Sequence, residues 1–150
     1  MNVAIPKTIE KTAEKYGLLI AAGLTLFFLI MKWSGLAHVI ELRALNFFIL
    51  AGGIYLSLKE FKRANGSSFT YLKGLGLGVL TSIIGCVGFG LIIFIYVQFI
   101  DPAFMQALIE NEAMGRFLNP YIVAVAVAVE GIGSGMILAF ILMNYMDTQH

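Results

Sequence analysis

Residues 120–146 read PYIVAVAVAVEGIGSGMILAFILMNYM. The run is long enough to cross a bilayer as a helix, and it carries a single acid, Glu130, near its middle. A carboxylate at such a depth is costly and calls for a partner or a task. The Ala-Val alternation at 123–129 has the period of a strand. The apolar run around it is far longer than a strand, and no other segment is suited to pair with it, so a helix is expected.

The rest of the chain fits the same solvent. Of its 150 residues 59% are hydrophobic and 13% charged, and the mean hydropathy is +0.88. A soluble domain of this size could not hide so much apolar surface, which makes the lipid bilayer the expected partner of much of it. A net charge of +1 speaks against nucleic acid. The one cysteine, Cys86, excludes an intrachain disulfide and a cysteine-based metal cluster. There is no HExxH, P-loop or CxxC sequence, and no cofactor is expected.

Four spans emerge, at about 16–32, 37–58, 71–99 and 120–146, in one integral domain covering residues 1–150. Lys32-Trp33 closes the first span with a cation and an interfacial aromatic. Acids at Glu10 and Glu14 before the first apolar run argue against a cleaved leader. The second span is polar at its start, through His38, Glu41, Arg43 and Asn46. Residues 59–68, KEFKRANGSS, form the main hydrophilic connection, with a turn at Asn65-Gly66. Asp101-Pro102 starts a short amphipathic helix at about 102–114 that lies at the interface, and Asn119-Pro120 starts the fourth span with the same cap-plus-proline device. The expected fold is an all-α membrane protein: a four-transmembrane-helix bundle with one interfacial helix between spans three and four.

Lysines and arginines set the orientation. Lys7, Lys11, Lys15, Lys59, Lys62, Arg63 and Lys73 fall on one side, against Lys32, Arg43 and Arg116 on the other. Both termini and the 59–70 loop are therefore expected to be cytoplasmic.

Two constellations carry what function the sequence shows. Gly74, Gly78 and Gly85, with Thr81, share a face of span three; Ala128, Gly131 and Gly135, with Ala124 and Ala139, share one of span four. Such faces let backbones approach closely in lipid, within the chain or toward a second copy or another membrane protein. The other constellation is Glu130 with Arg43 and Asn46. Glu130 lies about 13 Å from the Tyr121 end of its span, and Arg43 and Asn46 about 9 and 13 Å from Ala37. An ion pair with Arg43 and a hydrogen bond from Asn46 would fasten span two to span four. The other readings are a protonated Glu130 that merely packs, or an exchangeable proton or cation site.

The strings GGIYLSLKEFKRANGSSFTYLKGLGLGVLTSIIG, FIYVQFIDPAFM and NPYIVAVAVAVEGIGSGMILAFIL resemble the domain-of-unknown-function family 4199. Its pattern of a basic loop after span two, an aromatic and Lys or Gly opening span three, and an Asp-Pro after it falls here on Lys59 to Arg63, Phe69 to Gly74 and Asp101-Pro102. The segment after Asp101 is shorter than in many members. The resemblance implies a small four-helix bacterial membrane protein and supplies no activity. Together these features point to a non-enzymatic accessory or scaffold subunit of a membrane complex. The alternative is a small transporter or ion carrier using Glu130.

Overall fold

The computed structural model describes residues 7–36 and 44–147. It is helical, and no strand occurs among the described residues. Five α-helices follow one another: α1 (Ile9–Trp33), α2 (Leu45–Asn65), α3 (Tyr71–Ile95), α4 (Pro102–Asn111) and α5 (Pro120–Asp147).

Each boundary has a local cause. The Thr8 hydroxyl accepts from the Lys11 N–H and caps α1. At its other end Gly35 takes φ +73°, so that Leu36 N–H reaches the Met31 carbonyl at 2.9 Å and Gly35 N–H reaches Lys32 at 3.1 Å. That pair of bonds needs a left-handed residue, which glycine provides without strain. Thr70 caps α3, Asp101 caps α4 with Pro102 in its first turn, and Asn119 accepts from Ile122 N–H at 2.9 Å to cap α5.

Two boundaries depart from expectation. The α2 helix does not stop near Leu58 but runs on to Asn65. Lys59, Glu60, Lys62 and Arg63 are good helix formers, and continuation aims Glu60 back at α1. The expected connection is thus mostly helix, and the turn is confined to Gly66–Ser68. The start of the second expected span, residues 37–43, lies outside the described residues. The interfacial helix ends at Asn111 rather than about 114, because Glu112 is extended and the chain folds back. Gly115 then sits so close to the Ile109 carbonyl that a Cβ would overlap it. Beyond Ile95 the third helix continues as one π-helical turn, Tyr96–Ile100.

Among the described residues three helices are long and apolar enough to cross a membrane: Ile9–Trp33, Tyr71–Ile100 and Pro120–Asp147, with hydropathies of 1.8, 2.5 and 2.1. The four-span expectation is met to that extent; α2, with its charged last turns, is not among them.

α3 is the axis of the assembly. Leu77, Thr81, Ser82, Cys86 and Phe89 are buried along it, between α1 on one side and α5 on the other, with α2 lying over all three. Its hydroxyls bond within their own helix, Thr81 to the Leu77 carbonyl at 2.7 Å and Ser82 to Gly78 at 2.8 Å. No buried polar group there is left to lipid.

Candidate functional site

The small residues of α3 form two seams rather than one face. On the α5 side the register is antiparallel and advances by four. Gly74 meets Met143, Gly78 meets Ala139, Ser82 meets Gly135, Cys86 meets Gly131, and Gly90 meets Ala124 and Ala128. A Cβ at Gly78 would stand 2.6 Å from that of Ala139, and one at Gly90 would stand 3.0 Å from the Ala124 carbonyl oxygen. Gly85 does not join this seam. It faces α1, where Ile20 fills the space over it, as Gly88 faces Ala21 and Gly17 receives Ile84. Of the small residues singled out above, the structure brings Gly74, Gly78, Ala128, Gly131 and Gly135 together, and turns Gly85 the other way.

The intramembrane polar group is described in part. Arg43, and with it the proposed ion pair, lies outside the described residues. Glu130 is on the exposed face of α5, with Ala126 and Gly133 one turn either side; its carbonyl accepts from the Ser134 hydroxyl at 2.9 Å. Asn46 is in the first turn of α2, and its Oδ1 is buried without a hydrogen-bond partner among the described residues. The register places it. Ile54 packs at Gly78 beside Ala139, and Leu50 packs at Gly135. Asn46 is one further turn along the same face of α2, about 6 Å, which brings it level with Gly131 and its neighbour Glu130.

Two charged clusters tie the helix ends. At the lysine-rich end Glu60 of α2 receives Lys7, the Lys15 ammonium at 3.0 Å, and the Tyr16 hydroxyl. At the other end Lys32 of α1 pairs with Asp101 at 2.9 Å and stands 4.4 Å from the centre of the Phe104 ring. Phe28, Tyr96 and Phe104 pack edge to face around it, with centroids 5.1–6.2 Å apart. The Lys32 ammonium holds the Asp101 carboxyl below its usual range, the Phe104 N–H helps, and desolvation works the other way.

These clusters occupy the basic run at the end of α2 and the Asp-Pro after α3, the places that carry the resemblance. The family model described as protein of unknown function DUF4199 matches residues 15–144. This chain belongs to the DUF4199 family. No curated protein and no solved structure matches it. In this DUF4199 chain Asp101 both caps α4 and anchors α1, so one residue fixes the corner between α3 and α4.

Sequence reading missed Glu60 and the pairing of Lys32 with Asp101. A lone acid inside the basic run KEFKR was the available signal for the first. For the second there was none, since 69 positions separate the partners.

Proposed function

We propose that this protein is a four-span integral membrane protein without catalytic activity, acting as an accessory or scaffold subunit. The fourth crossing is supported by α2 running beside α1 in the opposite sense, from the level of Gly23 back to the first turns of α1. Gly23 meets Ile49, Gly53 meets Ile20, and Glu60 reaches back to the first turns of α1. A helix that returns beside a spanning helix to its starting end supports a further crossing. The distribution of lysine and arginine supports cytoplasmic termini, and the family resemblance supports an inner-membrane location in a bacterium.

The observation that carries the subunit reading is the outward face of α5. Ala126, Glu130 and Gly133 are exposed there, and nothing among the described residues lies within 4 Å of a Cβ at Gly133. Small residues are of most use on a lipid-facing surface where another helix packs closely. Gentle detergent purification, with identification of the chains that come with it, tests the reading. Gly133→Leu should leave the thermal midpoint unchanged and abolish the association. A stable lone monomer from the native protein contradicts it.

A second reading, a proton or cation carrier, is favoured by Asn46. Its buried acceptor is level with Glu130 and would suit a carboxyl that donates when protonated. Under that reading Glu130→Gln preserves the fold and removes a proton-coupled flux in vesicles. No flux from the native protein rejects it.

A further inference from the structure

At the lysine-rich end a cleft of about 280 Å³ opens between the start of α1, the end of α2 and the turn into α3. Ile9 and Phe61 give it an apolar wall; Lys7, Lys73, Asn65 and Ser68 give it a polar one. Lys73 donates to the Ser68 carbonyl at 3.0 Å and has no ion-pair partner among the described residues. Lys7 shares the single Glu60 carboxylate with Lys15. Glu10 is the one acid on the cleft wall. Two ammonium groups and one carboxylate therefore line the cleft, and an anion completes the balance. The apolar stretches of α1 and α3 begin within a turn or two of this level, which sets the cleft at headgroup depth.

We propose that the cleft binds the phosphate of an anionic lipid headgroup, with Lys73 and Lys7 as its cations and Ile9 and Phe61 against the glycerol and upper acyl region. The proposal rests on the membrane-embedded reading above and adds a defined lipid site to it. Basic pockets between helices at the cytoplasmic surface suit such headgroups better than an evenly charged surface does.

The test uses the full chain in detergent, titrated with phosphatidylglycerol or phosphatidylcholine and read by native mass spectrometry. The native protein should retain phosphatidylglycerol preferentially. Lys73→Gln, which leaves the Glu60 cluster intact, should weaken retention about fivefold, and Lys7→Gln with Lys73→Gln should weaken it further. Lys59→Gln with Arg63→Gln removes as much charge from the same end outside the cleft and should leave retention nearly unchanged. Equal loss in both pairs, unchanged binding by Lys73→Gln, or equal displacement by inorganic phosphate overturns the lipid site. Circular dichroism of each variant establishes that it is folded. Carbonate washing of membranes is read separately: release of the native protein contradicts the membrane reading, whatever the lipid titration shows.

Discussion

The two seams of α3 are built differently. Toward α5, small residues lie against small residues from Gly78 to Gly90, with Met143 over Gly74, and at Gly90 the nearest atom is a backbone carbonyl oxygen. Toward α1, small residues receive side chains: Ile20 enters over Gly85, and Ile84 enters over Gly17. The first arrangement brings backbones together and has little that can give way. The second is knob into hole, and a side chain can shift to absorb a change. Since lipid offers little hydrophobic drive between helices, the close seam is where adhesion depends most on the absence of a side chain.

Gly90→Leu should show the largest effect. Its side chain would meet the Ala124 carbonyl, and overpacking of this kind costs about 3 kcal/mol or more. A thermal melt in mild detergent would read it, and an unchanged midpoint would break the distinction between the seams.

A sharper comparison uses one substitution on both sides. Gly78→Ala places a Cβ 2.6 Å from that of Ala139 and should destabilise by about 1–3 kcal/mol, recoverable in part by Ala139→Gly. Gly88→Ala meets only the Ala21 methyl, at 3.3 Å. Alanine's helix preference of about 1 kcal/mol should offset that tight contact, leaving stability within about 1 kcal/mol of the native protein. Equal losses at the two sites would mean that the seams do not differ.

The smallest effect concerns the corner at Asp101, outside both seams. Its folded carboxyl lies below the unfolded value of 3.8, so its contribution is complete above that range and is lost as pH falls through the folded value. Asp101→Asn should lower the midpoint slightly at pH 7 and make it less sensitive to acid below pH 4. A variant as acid-sensitive as the native protein would exclude Asp101 as the group responsible.

Much of this architecture was legible in the sequence because its signals are local. The apolar lengths, the Asp-Pro and Asn-Pro starts and the Asn-Gly turn act over a few residues. What faces what was harder to read. In a soluble helix the polar side marks the surface, but α3 is apolar toward lipid and toward protein alike, so periodicity does not tell its two small faces apart. Gly85 was grouped with Gly74 and Gly78 for that reason. Glu60 was hidden differently: a basic run reads as solvated connection until the helix continues and turns its acid toward Lys15. The pair of Glu130 and Arg43 remains a proposal, since Arg43 lies outside the described residues, while the register of Asn46 supports the shared depth on which the pair depends.

The central claim is a chain that crosses four times, with α2 returning beside α1. Single cysteines at Asn65 and Asn111, probed with an impermeant thiol reagent in intact cells, test it most directly. Labelling at 111 with protection at 65, and an amino terminus on the same side as 65, is the predicted result. Residue 65 on the opposite side from the amino terminus would contradict the four-span account, and labelling at 65 with protection at 111 would invert the assigned orientation.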